Sequence, residues 1–231
     1  MIVLPTLRLA TLCAIVWQLV LCVRASSAQV AIGLRAGAYF SDEIATGPSS
    51  NDTDRDGLTS FTVAVPVEVG ITEFTSIVVE AQFLRRGYAI TEDAESFQQA
   101  TTVRYNAFEF PVLLKGGVTW DNFHLAGVVG PSLQYLASGT FEFGSLTTSG
   151  TVLPASEGDI DFEDSLFFES VNRAAFFGQA GVHAGVPVSN GKIVFDARYH
   201  FSISDLDESD EGDLRARGFS LTAGAMILLG R

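Results

Sequence analysis

A period-two alternation of apolar and polar residues runs through this chain and sets what it can become. It recurs in segment after segment and leaves no room for a helical repeat. Between Lys192 and Ile203, Ile193, Phe195, Ala197, Tyr199, Phe201 and Ile203 alternate with Val194, Asp196, Arg198, His200 and Ser202. Successive side chains of a strand point to opposite faces, so one face here is apolar and the other carries charge. The C-terminal segment repeats the pattern, with Phe219, Leu221, Ala223, Ala225, Ile227 and Leu229 against Ser220, Thr222, Gly224, Met226 and Leu228. On this basis eight strands are expected, at 30–41, 59–71, 76–90, 102–116, 122–137, 172–188, 192–204 and 215–229. Most exceed the roughly 9 to 11 residues that a tilted strand needs to cross a bilayer. Pro66 is awkward within the second, because it removes a ladder donor.

The connections alternate between two classes. Residues 72–75, 117–121 and 189–191 are short, the last containing an Asn-Gly turn signal, whereas 42–58, 91–101, 138–171 and 205–214 are long and acidic. Short turns at one end and long loops at the other are the mark of an outer-membrane barrel, and an even strand number puts both termini on the periplasmic side. The fold expected is therefore all-β: an eight-stranded, antiparallel, up-and-down transmembrane barrel in the outer membrane, in contact with its lipid. Tyr39, Phe40, Phe74, Tyr88, Tyr105, Trp120, Phe123 and Tyr135 fall near strand ends, where interfacial girdles are expected.

Residues 1–28 read as a leader: Arg8 precedes an apolar run from Leu9 to Val23, and Ser26-Ser27-Ala28 offers small residues for cleavage. The run is short for a spanning anchor, and Leu21 is too large for a lipoprotein site at Cys22. The expected mature domain is 29–231. Both cysteines, Cys13 and Cys22, lie in the leader, so the domain has no thiol chemistry. Removing Arg8 and Arg24 from the 14 basic residues leaves 12 against 27 acidic ones, a formal charge of about −15. Such a chain does not attract nucleic acid.

With the apolar face on lipid, the inward face carries Arg35, Glu68, Glu80, Gln82, Glu109, Lys115, His124, Gln134, Gln179, His183, Asp196, Arg198 and His200. Charges in so narrow a lumen must pair, and eight strands leave room only for side chains or one small ligand. A polar network built on Arg35, Glu68, Glu80, Glu109, Lys115, Asp196 and Arg198 is expected, and no pore. The three histidines fall on different strands without metal-ligand spacing. The competing reading is a soluble, lipocalin-like periplasmic barrel, with Phe195, Tyr199 and Phe201 inside around an apolar ligand.

Phe108-Glu109-Phe110-Pro111-Val112-Leu113-Leu114-Lys115, with Gly130-Pro131 in the next strand and Gly33-Leu34-Arg35-Ala36-Gly37 in the first, resembles the PorT-like outer-membrane β-barrel family. The resemblance implies a barrel with Glu109 and Lys115 directed inward, and for some members a part in protein secretion. The C-terminal Met226 to Arg231 departs from it in lacking a terminal aromatic residue.

In the first long loop, Asp52, Asp54 and Asp56 stand at alternate positions before Gly57, as at the opening of a calcium loop, although Val63 holds the twelfth place where Glu belongs. Calcium is the sole cofactor the sequence suggests. The acidic third loop, interleaved with Phe162, Phe167 and Phe168, is the expected contact surface for a protein partner. No nucleophile elbow, phosphate loop or metalloprotease signature is present, so no enzymatic activity is expected.

Overall fold

A computed structural model describes residues 29–46, 55–94, 97–120, 122–147, 152–160, 172–204 and 213–229. Ten strands form: β1 (Val30–Thr46), β2 (Arg55–Gly57), β3 (Thr59–Gly70), β4 (Thr75–Ala94), β5 (Phe97–Trp120), β6 (Phe123–Thr147), β7 (Val152–Ile160), β8 (Ala174–Val188), β9 (Gly191–Ser202) and β10 (Asp213–Leu229). Eight of them close a ring in the order β1, β3, β4, β5, β6, β8, β9, β10, with β10 returning antiparallel to β1. The remaining two belong to the rim. β2 is an upward extension of β3, interrupted at Leu58, whose carbonyl accepts from the Ser41 amide at 2.9 Å. β7 pairs with the upper part of β6.

The alternation assigns the faces as expected for a membrane barrel. Phe195, Tyr199 and Phe201 lie outward, 52, 43 and 37 % exposed, within an apolar band that includes Leu34, Phe61, Val112, Phe176 and Leu221. Asp196, Arg198 and His200 lie inward and are buried. The lipocalin-like reading required the reverse. At the girdle the expectation needs correcting: Tyr39 and Tyr105 point into the lumen and are buried, and Tyr88 packs against them. Rings that do face outward form cross-strand contacts, Phe61 to Phe83 at 5.7 Å and Phe83 to Phe108 at 5.6 Å between centroids.

Two prolines of the inner face, Pro66 and Pro111, interrupt their ladders rather than their strands. The β1–β3 pairing skips Gly33 and Leu34 opposite Val65 and Pro66, and the β4–β5 pairing skips Glu80 and Ala81 opposite Phe110 and Pro111. On β6, Ala137 has no partner on β5: Ala107 faces Leu136 and Asn106 faces Ser138. This one-residue bulge reverses the strand's parity, so Leu136 and Gly139 both face inward. The β8–β9 hairpin turns on Ser189 and Asn190, not on Asn-Gly, with Gly191 already paired to Val188. Ser189 takes a positive φ of 22° at the first turn position, where a II′ turn prefers glycine.

β5 and β6, of 24 and 25 residues, run far beyond the length needed to cross a bilayer. Together with β4 and β7 they form a wall that rises above the rim on the long-loop side. The expected strands at 76–90 and 122–137 therefore end too early, and that at 102–116 begins too late.

Candidate functional site in the barrel interior and at its outer rim

The seven residues expected to form the polar network lie in the lumen, in three layers. At mid-height β1, β4 and β9 bring Arg35, Glu80, Asp196 and Arg198 into an alternating ring of charge. Arg35 reaches Glu80 Oε2 at 2.6 Å and Asp196 Oδ2 at 2.5 Å. Arg198 grips both oxygens of Glu80 at 2.8 and 3.0 Å and donates to Asp196 Oδ1 from Nε and Nη2 at 3.0 and 2.8 Å. Two guanidinium groups and two carboxylates thus balance one another without net charge, although Arg35 Nε has no hydrogen-bond partner, and such pairing is what lets ions be tolerated away from water. The β9 spacing explains part of this, since Asp196 and Arg198 are two residues apart on the same face.

Beside this ring lies Glu109, which accepts from Ser132 Oγ at 2.5 Å and Gln179 Nε2 at 2.9 Å, with His200 Nδ1 at 3.4 Å. His200 Nε2 is 2.9 Å from Ser220 Oγ. Ser220, His200 and Glu109 therefore follow the order of a nucleophilic triad. All three are buried, however, and Tyr39 stands edge-on to His200 at 5.3 Å. In this setting the chain of contacts ties β5 to β9 and β10 across the lumen.

Nearer the short-turn end, Glu68 holds Lys115 on Oε1 and Lys192 on Oε2, the latter at 2.6 Å, and accepts from Ser76 at 3.1 Å. A cavity of about 10 Å³ lined by Arg35, Glu68, Glu80, Lys115, His183 and Arg198 separates this cluster from the ring. That is room for about one water molecule.

The opposite end is closed by apolar packing. Tyr39, Leu84, Val103, Tyr105, Ala107 and Leu136 fill the lumen below the outer rim, and Ile160, the last residue of β7, inserts among them. Arg86 lies inward at the same end, with its guanidinium carbon 5.5 Å from the Phe177 ring centre and 6.0 Å from that of Tyr105. Arg86 and Lys192 were absent from the expected inward set. Extending the parity of Glu80 and Gln82 forward, and that of Asp196 backward, finds both.

Asp52 and Asp54 lie outside the described residues. Asp56 is exposed on β2, and from there to Val63 the backbone is extended apart from Leu58. Extended strands spread the later calcium-loop positions apart instead of converging them. Among the described residues no group of three or more His, Cys, Asp or Glu is arranged to hold a metal. Residues 161–171, with Phe162, Phe167 and Phe168, also lie outside the described residues.

A closed antiparallel ring with a polar, filled lumen and an apolar outer band defines an outer-membrane β-barrel. The sequence profile of the family described as "Outer membrane protein beta-barrel domain" matches residues 24–208. The chain belongs to that family, and its place is the cell outer membrane. Among solved structures it is similar to the outer membrane protease OmpT of Escherichia coli, with a TM-score of 0.51, 10% identity, and 90% of this chain covering 100% of that one. OprG of Pseudomonas aeruginosa follows at 0.48, 6%, 87% and 96%. Ail of Yersinia pestis, solved with the heparin analogue sucrose octasulfate, stands at 0.37, 11%, 87% and 100%. At these identities the likeness extends to the fold alone. Comparison with curated proteins finds no match.

Proposed function

We infer that the chain, exported with removal of residues 1–28, is a non-enzymatic and non-conducting barrel that presents its external wall to a protein partner. Its role is structural, adhesive or secretion-associated, and the PorT-like motif around Glu109 and Lys115 favours secretion. The observation carrying this reading is the contrast between a filled lumen and an extended rim. β7 pairs with β6 on one side, and among the described residues its other edge has no strand beside it. A free edge accepts an added strand through its main chain, and Glu157 and Asp159, both exposed on β7, select an extended basic segment. A hydrolase is less well supported, because Ser220 lies beneath the apolar plug with no space for a substrate.

A photo-cross-linking side chain at position 157 in intact cells tests the reading. One dominant protein adduct is expected there, with none from the same probe at position 122 on the opposite mouth. Absence of an adduct at 157, or equal capture at both positions, overturns it.

A further inference from the structure

Two histidines that sequence spacing does not relate meet at the periplasmic mouth. His124 is the second residue of β6 and lies opposite Gly185 of β8, while His183 lies opposite Ala126, so the two are diagonal neighbours. Their ring centroids are 6.0 Å apart with the planes at 68°. Gly185 lies against both rings: a Cβ there would stand 3.7 Å from His183 Nε2, 3.8 Å from His124 Cβ and 3.8 Å from Lys192 Cδ.

Each ring is oriented through Nδ1. His183 Nδ1 is 3.0 Å from Asp196 Oδ2, and His124 Nδ1 is 2.9 Å from Thr119 Oγ1. Asp196, gripped by two arginines, accepts, so Nδ1 of His183 carries a proton and in the neutral ring Nε2 presents a lone pair. Thr119 can accept from Nδ1 of His124 and leave that ring in the same tautomer. Both Nε2 atoms are buried without a hydrogen-bond partner, and His183 is only 4 % exposed. Two oriented ring nitrogens without a hydrogen-bond partner, one ring backed by a carboxylate, are an arrangement typical of metal-bound histidine.

We propose that His124 and His183 bind one first-row divalent transition-metal ion through their Nε2 atoms, with water in the remaining positions. Nitrogen ligands select the zinc, copper and nickel class over calcium or magnesium. With Nε2 about 2.0 to 2.1 Å from the ion and the ring centre about 1.1 Å behind it, two rings sharing an ion stand at most about 6.4 Å apart. The observed 6.0 Å lies within that limit and corresponds to an angle of about 145° at the ion, wider than tetrahedral zinc and nearer the trans pair of a tetragonal copper or nickel ion. The neighbouring cations Lys115 and Lys192 are both turned onto Glu68, which tempers their repulsion of the ion. With no third protein ligand among the described residues, the ion is exchangeable from the mouth rather than locked into the fold.

The test is titration of the folded full chain in detergent micelles with Cu(II), read by electron paramagnetic resonance. One ion per chain with hyperfine coupling to two imidazole nitrogens is expected. His124→Gln and His183→Gln each remove that signal, while heat-modifiable gel migration reports that the barrel remains folded. His124 sits at the half-exposed mouth, so His124→Gln decides the matter even where His183→Gln fails to fold. A wild-type chain without the two-nitrogen signal at stoichiometric copper, or the same signal in folded His124→Gln, overturns the proposal.

Discussion

The two ends of the lumen are closed by opposite chemistry. Towards the long loops the seal is apolar: Tyr39, Leu84, Tyr105 and Leu136 from four wall strands, with Ile160 folded in from β7. Towards the short turns the lumen narrows onto Glu68, Lys115, Lys192, His124 and His183, and Lys192 keeps 17 % of its side chain exposed. Each end shows where one kind of interaction suffices. An apolar plug excludes water and needs only matched volumes, so it suits the end that supports the tall external wall. A charged mouth stays partly hydrated, and His124 and His183 lie just inside it. Between them the Arg35, Glu80, Asp196 and Arg198 ring is buried, with room beside it for about one water molecule, and depends on charge balance.

The contrast between dry and hydrated closure ranks the substitutions. Arg198→Met removes every hydrogen bond that Arg198 makes to Glu80 and Asp196, leaving two buried carboxylates to share Arg35; a loss of about 3 to 5 kcal/mol is expected. The measurement is the urea midpoint of the gel mobility shift in micelles. Adding Glu80→Gln to Arg198→Met removes the surplus charge and restores part of the loss. If the double variant is no better than the single, the ring is not held by charge balance.

Leu84→Ala in the plug opens a cavity and costs about 2 to 5 kcal/mol, read by the same unfolding curve. It is expected to leave the barrel non-conducting, because the charged ring beneath still fills the lumen. A conducting Leu84→Ala barrel breaks the distinction between plug and ring by showing that the plug alone closes the pore.

Lys192→Met at the mouth is expected to cost less, about 1 kcal/mol or below, because the pair is partly solvated and Glu68 keeps Lys115. A loss as large as that of Arg198→Met is incompatible with a hydrated mouth. Smallest is Ser189→Gly in the β8–β9 turn, outside the lumen altogether. Relief of the positive φ stabilises by about 0.5 to 1 kcal/mol, visible as a slightly higher midpoint.

Much of the ring was legible in the sequence, because alternation fixes which side chains share a face. Asp196 and Arg198 follow from β9 alone. What alternation does not supply is register, and register is what joins residues on different strands. Arg35 meets Glu80 across a separation of 45 residues, and His124 meets His183 only because Gly185 faces the former. Their sequence positions show no metal-ligand spacing for the same reason. The wall was underestimated because beyond the bilayer both faces of a strand meet water, and the two-residue period fades through 97–102 and 138–147. The acidic composition of the third loop likewise concealed β7, whose Ile160 is the apolar residue it turns into the plug. Nearness to strand ends suggests the girdle for Tyr39 and Tyr105, whereas parity with Arg35 and with Ala107 places them inside.

Above all, side chains fill the lumen from the charges at the short-turn mouth to the outer plug, leaving between the Glu68 cluster and the ring a cavity of only about 10 Å³. Single-channel recording of the purified barrel in planar bilayers, at high protein load in molar salt, puts this to the test, with insertion verified by protease protection. A filled lumen yields a flat baseline without conductance steps. Uniform steps whose size grows with salt concentration would mean that the lumen is open.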